Sequence, residues 1–371
     1  MSRVLLVAGA RPNFMKISPI IDALHAAGED HVLVHTGQHY DEQMSAAFFG
    51  DLDIPPPDYN LNVGSASHAA QTARIMQAFE PVLTEVRPEW VVVVGDVNST
   101  LACALVAVKL KGEVGCRIAH VEAGLRSGDW RMPEEVNRVL TDQISDVLFL
   151  PSRDAHANLV AEGIPEHRQI FVGNVMVDTL FRSLPKAVAL DIPGKLGLES
   201  GRYVVATLHR PSNVDSADSL SAILEGFQRI ARRMPIVLPI HPRTRRAAET
   251  MGLTDLLRGI RVTEPLGYLE MLSLTNSAAV ALTDSGGLQE ETTALGVPCV
   301  TLRESTERPI TIREGTNRLA PWPLSVEGLI GSFESAVARG RRSPGEHAPE
   351  GWDGQAAIRI VEHFKIPAAV T

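Results

Sequence analysis

The feature that most limits the fold is a grammar repeated along the chain: an unbroken β-rich apolar run, a polar or glycine-containing loop, then helical periodicity. Residues 4–7 end in Gly9-Ala10-Arg11-Pro12-Asn13, ahead of helix-like spacing from Lys16 to Leu24. His31–His35 leads to Gly37-Gln38-His39, and Trp90–Val94 leads to Gly95-Asp96-Val97-Asn98-Ser99-Thr100 and an Ala/Leu/Val-rich stretch. Strands that are apolar without alternation are buried on both faces, and helices between them imply parallel order. Further strands are predicted at Arg117–Val121, Val147–Leu150 and 169–172, followed by a helix over 175–184. A Pro/Gly/Lys-containing stretch at 185–202 reads as a linker, after which the alternation restarts. Strands are expected at 203–208, 236–240, 260–262, 280–282 and 298–302, with helices at 217–234, 268–275, 288–295 and finally 355–364.

The expected class is therefore α/β, with two Rossmann-like doubly wound domains facing a central cleft. The first spans 1–184 and is joined by a C-terminal helix, 355–371, and the second spans 185–354. A length of 371 residues suits two cores. Ligands of such folds bind at loops outside the carboxyl ends of the strands, which is where function is to be sought.

Composition narrows the partners. The chain carries 44 acidic and 35 basic residues, a formal charge of −9, which repels a nucleic-acid backbone and an anionic membrane surface. Its apolar runs fall far short of the ~20 residues a membrane helix requires, and its first residues do not read as a secretory leader. Neither nucleic acid nor membrane is an expected partner. Cys103, Cys116 and Cys299 are far apart and form no CxxC pair, so neither a disulfide framework nor a zinc site is indicated, and a reducing cytoplasm fits.

Successive strand-end loops offer Arg11 and Lys16, then Gln38 and His39, then Asp96, then His120 and Glu122 with Arg126. In Pro133-Glu134-Glu135-Val136-Asn137-Arg138, a proline and two carboxylates suit a helix start, and Glu134 and Arg138 share one helical face. Carboxylates at the inner ends of buried strands are desolvated unless they pair or act as acid and base, so Asp96, Glu122 and Glu134 are candidates, with Arg126 as a pairing cation. In the second half the loops carry His209-Arg210-Pro211, His241-Pro242-Arg243 and Thr283-Asp284-Ser285-Gly286-Gly287-Leu288-Gln289-Glu290-Glu291. Ser285-Gly286-Gly287 at a helix start presents free backbone N–H groups to a diphosphate, and Glu291, one turn on, suits ribose hydroxyls. Of the 12 histidines, His209 and His241 follow apolar strands beside Arg and Pro, whereas His25, His31, His68 and His156 lack such a setting. Neither GxGxxG nor GxxxxGK[ST] occurs, which removes the main support for NAD binding and P-loop hydrolysis.

Taken in order, Gly9-Ala10-Arg11-Pro12, Gly95-Asp96, His120-Val121-Glu122-Ala123-Gly124-Leu125-Arg126, Pro133 to Arg138, His209-Arg210 and Asp284-Ser285-Gly286-Gly287 resemble the non-hydrolysing UDP-N-acetylglucosamine 2-epimerases over nearly the whole chain. The resemblance implies the glycosyltransferase-B fold and an isomerase that interconverts UDP-GlcNAc and UDP-ManNAc with no cofactor and no obligatory metal. It implies elimination of UDP to 2-acetamidoglucal and its return. By position it implies catalytic roles for Asp96, Glu122, Glu134 and His209, and UDP-sugar binding by Arg11, Lys16, Arg138, His241, Ser285, Gly286, Gly287 and Glu291. It also implies a homodimer and, through its products, polysaccharide biosynthesis.

The chain departs from the family pattern in places. Ala10-Arg11-Pro12-Asn13 stands where Thr-Arg-Pro-Glu is frequent, and Gln38-His39-Tyr40-Asp41-Glu42-Gln43-Met44 differs in spacing from the family's activator motif. His209-Arg210-Pro211-Ser212 replaces His-Arg-Arg-Glu, which leaves room for a modified UDP-GlcNAc such as a uronate or a 2,3-diacetamido sugar. A hydrolysing epimerase, a UDP-sugar glycosyltransferase and a nucleotide-sugar sensor without turnover are the other readings.

Overall fold

A computed structural model describes residues 4–38, 50–346 and 348–365, with the side chain of Arg11 outside that description. The chain divides into two compact units, residues 1–179 with 350–371, and residues 180–349. The sequence expectation put these boundaries at 184/185 and 354/355.

The first unit holds a seven-stranded parallel sheet in the order β3-β2-β1-β4-β5-β6-β7. Its strands are β1 (Val4–Ala8), β2 (His31–His35), β3 (Tyr59–Asn60), β4 (Trp90–Val94), β5 (Arg117–Val121), β6 (Val147–Leu150) and β7 (Gln169–Phe171). Every residue of β1 and β4 is buried, as their unalternating apolar sequences require. Leu5, Val7, Val34, Val91, Val93 and Ile118 face Ile75, Phe79 and Leu83 of the helix His68–Val86 and the small residues Ala102, Cys103 and Ala107 of the helix Asn98–Lys109. All three cysteines of the chain are buried and free.

The terminal helix, Ala356–Phe364, belongs to this unit. Phe364 packs against Trp90 and Phe149 with ring centroids 5.1 and 5.8 Å apart. Asp178 accepts from the backbone N–H groups of Ala356 and Ala357 at 3.2 and 2.7 Å, a cap supplied from a distant part of the chain. A Cβ on Gly173 would lie 1.9 Å from the carbonyl oxygen of Gly351, so the two segments approach as closely as they do only because residue 173 has no side chain.

The second unit carries a six-stranded parallel sheet ordered β10-β9-β8-β11-β12-β13. The strands are β8 (Val204–Thr207), β9 (Ile236–Pro239), β10 (Arg261–Thr263), β11 (Val280–Thr283), β12 (Cys299–Thr301) and β13 (Asn317–Leu319). Its core joins Val204, Ala206, Leu238, Leu282 and Val300 to Leu224, Phe227 and Ile230 of the helix Ala217–Ala231 and to Phe333 of the helix Val326–Arg339.

The strand order reverses between β1 and β4 in the first sheet and between β8 and β11 in the second, the two places where doubly wound sheets bind ligands. Among the described residues no helix is long and apolar enough to cross a membrane.

The expected linker at 185–202 is helical over most of residues 185–195 and irregular only from 196 onward. The helix Val175–Leu190 runs straight through Pro185, and Ile192–Lys195 adds a further turn. An interior proline costs a helix about 3 kcal/mol, but Leu180, Ala187 and Ile192 are buried, and burying such side chains offsets that cost. Helices Arg11–Ala26 and His68–Val86 likewise contain Pro19 and Pro81. The short strands β3 and β13, of two and three residues, carry too little pattern to be anticipated.

Candidate functional site: carboxylates on one unit, an anion loop on the other

At the end of β1 the chain turns sharply into the helix Arg11–Ala26. Asn13 fixes the turn by accepting from the N–H groups of Gly9 and Ala10 at 3.1 and 3.0 Å and donating to the carbonyl of Val94 at 3.0 Å. That places Lys16, one turn further on, against the end of β4. Its ammonium forms an ion pair with the Glu122 carboxylate, and both side chains are almost wholly buried.

Glu122 follows β5 directly and adopts φ = 71°, a left-handed conformation that costs a non-glycine residue about 1–2 kcal/mol. Backbone strain of this kind collects where a side chain must be aimed.

Asp96 follows β4 and accepts from Nε and Nη2 of Arg138 at 3.0 and 2.7 Å. Arg138 lies on the helix Pro133–Ile144 and also holds Glu135 at 2.7 Å. Burial works against the charge on Glu135, but the N–H groups of Ser127 and Gly128 and the Arg138 guanidinium outweigh it and bring its carboxyl below the ordinary range. Glu134, the second residue of that helix, is half-buried and makes no hydrogen bond or ion pair among the described residues. Thus Glu134 and Arg138, which share a helical face, do not pair. Arg138 instead reaches Glu135, three residues before it, and Asp96.

Arg126 does not pair with Asp96, Glu122 or Glu134 either. It binds Asp142 at 2.7 Å and both oxygens of Glu162 at 2.7 Å. His68, at a helix start and not after a strand, has its Nδ1 3.1 Å from the side-chain amide of Asn98, which in turn donates to Gln71 at 2.8 Å. Gln38 is buried and accepts from Ser99 N and Oγ at 3.0 and 2.7 Å. His39 and the rest of the 39–44 motif lie outside the described residues, and Arg11 is placed by its backbone alone, as the first residue of its helix.

In the second unit, the ends of β8 and β11 are joined by Asp284. It accepts from the backbone N–H groups of His209 and Arg210 at 2.9 and 2.8 Å and from Asn213 at 3.1 Å, and the His209 ring sits 2.9 Å from its other oxygen. Burial opposes its charge, yet the His209 ring and these donors hold the Asp284 carboxyl below its usual value. His209 is thereby fixed with its other ring nitrogen free to serve a ligand.

The His241 ring lies 5.8 Å from that of His209 and caps the helix Pro242–Thr250 by accepting from Arg243 N at 3.1 Å. Burial and the neighbouring His209 lower the affinity of His241 for a proton.

Ser285 is the N-cap of the helix Gly286–Ala294 and makes no side-chain cap, so Gly286 and Gly287 open a helix whose first N–H groups have no intrahelical partner. A positive helix end of this kind is a diphosphate site in waiting. Glu291, one turn on, is buried, and that burial with Glu290 beside it pushes its carboxyl up to about 8. Tyr268 is an electrostatic neighbour of Glu291 and, separately, of Arg182, a meeting that no sequence spacing disclosed. Among the described residues no group of three or more His, Cys, Asp or Glu side chains is placed to hold a metal ion.

A family model described as UDP-N-acetylglucosamine 2-epimerase matches residues 22–365. The chain belongs to the UDP-N-acetylglucosamine 2-epimerase family. It is an enzyme of the isomerase type, with the two parallel sheets of the glycosyltransferase-B fold. It is 42% identical to the UDP-N-acetylglucosamine 2-epimerase of Methanocaldococcus jannaschii over 98% of this chain and 100% of that protein, and 44% identical to the enzyme of the same name from Methanococcus maripaludis over 99% and 100%. A third relative, the UDP-2,3-diacetamido-2,3-dideoxy-D-glucuronate 2-epimerase of Pseudomonas aeruginosa, is 40% identical over 98% of this chain and 99% of that one. The crystal structure of the Methanocaldococcus jannaschii epimerase in complex with UDP-GlcNAc and UDP superposes with a TM-score of 0.85 at 42% identity, covering 97% of this chain and 99% of that one.

Proposed function

We propose that this epimerase interconverts UDP-GlcNAc and UDP-ManNAc by eliminating UDP and adding it back. In the first step the C1–O bond breaks and UDP leaves with its electron pair. The C2–H bond supplies the electrons of the new C1=C2 double bond, and the proton passes to an enzyme base. UDP then returns to C1 while C2 takes a proton on its opposite face. No carbonyl acidifies the C2 hydrogen, so departure of UDP runs ahead and C1 gains oxocarbenium character that nearby carboxylates stabilise.

What carries this reading is the set of three carboxylates in one unit, each in a different environment. Asp96 is paired with Arg138, Glu122 is paired with Lys16, and Glu134 makes no ion pair among the described residues. Two groups of this set serve the two faces of C2. His209, fixed by Asp284, is assigned to the departing diphosphate, together with the Ser285-Gly286-Gly287 helix start, Arg11 and His241. Glu291 is assigned to the ribose, and Arg138 and Lys16 act by holding the carboxylates they pair with. We take the enzyme as a cytoplasmic homodimer supplying polysaccharide synthesis, following the family resemblance, and light scattering of the purified protein tests the dimer.

A second reading, epimerisation of a 2,3-diacetamido uronate, is favoured by the 40% identity to the Pseudomonas aeruginosa enzyme. The two are separated by measuring kcat/KM on UDP-GlcNAc and on the UDP-diacetamido-uronate with anion-exchange separation of the epimers. A larger value on UDP-GlcNAc is expected, and a hundredfold preference for the uronate would replace the first reading with the second.

A further inference from the structure

His120, the fourth residue of β5, is fully buried, yet it is not a packed apolar residue. Its Nε2 lies 2.7 Å from the carbonyl oxygen of Gly95 at the end of β4, and its Nδ1 lies 2.6 Å from Oδ1 of Asp142 on the helix Pro133–Ile144. A carbonyl only accepts, so Nε2 carries a proton in this contact. Asp142 also accepts from Gly124 N at 3.0 Å and from Arg126 at 2.7 Å. Burial favours its neutral form, but His120 and Arg126 outweigh that and keep its carboxyl below the ordinary value. The Asp142 carboxylate closes on the ring from its Nδ1 side, so both ring nitrogens are engaged.

Three segments meet on this ring, and each carries a candidate carboxylate. Gly95 precedes Asp96, and its own N–H donates to the carbonyl of Val121, which precedes Glu122. Gly124 follows Glu122 by two residues, and Asp142 shares its helix with Glu134 and Arg138. On the other side of Gly95, a Cβ would lie 2.6 Å from the Lys16 ammonium nitrogen and 3.3 Å from Oε2 of Glu122, so the Lys16–Glu122 pair rests on the peptide whose carbonyl His120 holds. From Asp142 the order continues to Arg126 and Glu162, which satisfies the far end of the network at the protein's edge. A fully connected buried polar network of this kind fixes geometry where an apolar core fixes only volume.

We propose that His120 is a positioning residue: by bridging the Gly95 carbonyl and Asp142, it sets the place of the Asp96 and Glu122 carboxylates without touching the substrate. This rests on the epimerase reading for its kinetic test, but not for its spectroscopic one.

Two neutral replacements separate positioning from mere filling of space. The amide nitrogen of Gln falls near the place of Nε2, and that of Asn near Nδ1. His120→Gln therefore keeps the donor to Gly95, and His120→Asn keeps only the donor to Asp142. Both lose the ring and are expected to lose similar stability. The expected result is that His120→Asn turns over at least tenfold more slowly than His120→Gln, with the UDP dissociation constant within twofold of the parent in both. Equal kcat in the two variants, or a His120→Asn kcat within threefold of the parent, would overturn the proposal.

Should either variant fail to fold, nitrogen NMR of the unaltered enzyme labelled at histidine decides the matter at pH 7. A protonated Nε2 on His120 is expected, and an Nε2 without a proton overturns the proposal. A parent enzyme that does not epimerise UDP-GlcNAc would overturn the functional reading alone, leaving the ring measurement to decide this one.

Discussion

Arg138 clasps Asp96 with two nitrogens on one oxygen, Nε at 3.0 Å and Nη2 at 2.7 Å, and donates from Nη1 to Glu135 at 2.7 Å. One guanidinium thus orients a candidate catalytic carboxylate and neutralises a buried structural one. Arg138→Met would leave Glu135, 2% exposed, without its cation. Removing one partner of a buried pair costs about 3–5 kcal/mol, and because Ser127 and Gly128 still donate to Glu135, a loss of about 3 kcal/mol in urea unfolding is expected. Turnover should fall in the same variant, since Asp96 loses its orientation. A stability loss below about 1 kcal/mol, on the scale of an exposed pair, would contradict this role.

Glu122→Gln keeps the shape of the side chain and removes the charge that faces Lys16. UDP binding, assigned to Arg11 and to residues of the other unit rather than to Glu122, should persist with little change. Turnover should drop by roughly 10² to 10⁴-fold, the usual contribution of a general acid–base group. Activity retained within about tenfold would remove Glu122 from the reaction.

The left-handed backbone at Glu122 makes a separate prediction about stability. To cancel the Lys16 pair, both members of the comparison carry Lys16→Met. Lys16→Met/Glu122→Gly should then be about 1 kcal/mol more stable than Lys16→Met/Glu122→Ala in thermal or urea unfolding, because glycine adopts φ = 71° without strain. In an ordinary right-handed setting glycine would be the less stable of the two, so the sign alone tests the conformation.

Burial lifts the Glu291 carboxyl from 4.5 to about 8, with Glu290 adding to the effect. The folded chain therefore binds this proton more tightly than the unfolded one, and between roughly these two pH values stability falls as pH rises. Below pH 4.5 both states are protonated and there is no penalty from this group. Glu291→Gln removes the ionisation, so the variant should gain on the parent as pH is raised from 5 to 8.5 in denaturant titrations. Parallel stability curves across that range would show that Glu291 is not held neutral.

Much of this arrangement is legible in the sequence, for a physical reason. The strands at His31–His35, Trp90–Val94, Arg117–Val121 and Val147–Leu150 are found where unbroken apolar runs place them, because burial on both faces leaves no room for alternation. The loops that follow them were equally visible, since strand-end polar residues stand out against apolar runs. Proline was the misleading mark: Pro185 does not end its helix, because buried side chains on both sides hold it together.

Pairings were harder to read than positions. Helical spacing suggested Glu134 with Arg138, whereas the structure joins Arg138 to Glu135 and to Asp96, 42 residues away in sequence. His120 and Asp142 meet across 22 residues, and Tyr268 lies near both Glu291 and Arg182, proximities that only tertiary packing creates.

The most direct test of the central claim is proton NMR of the purified enzyme with UDP-GlcNAc in deuterium oxide, with no cofactor added. Reversible elimination predicts that the C2 proton signal disappears from UDP-GlcNAc while UDP-ManNAc accumulates carrying deuterium at C2. Retention of the C2 proton in both nucleotide sugars, or release of free ManNAc as the main product, would contradict it.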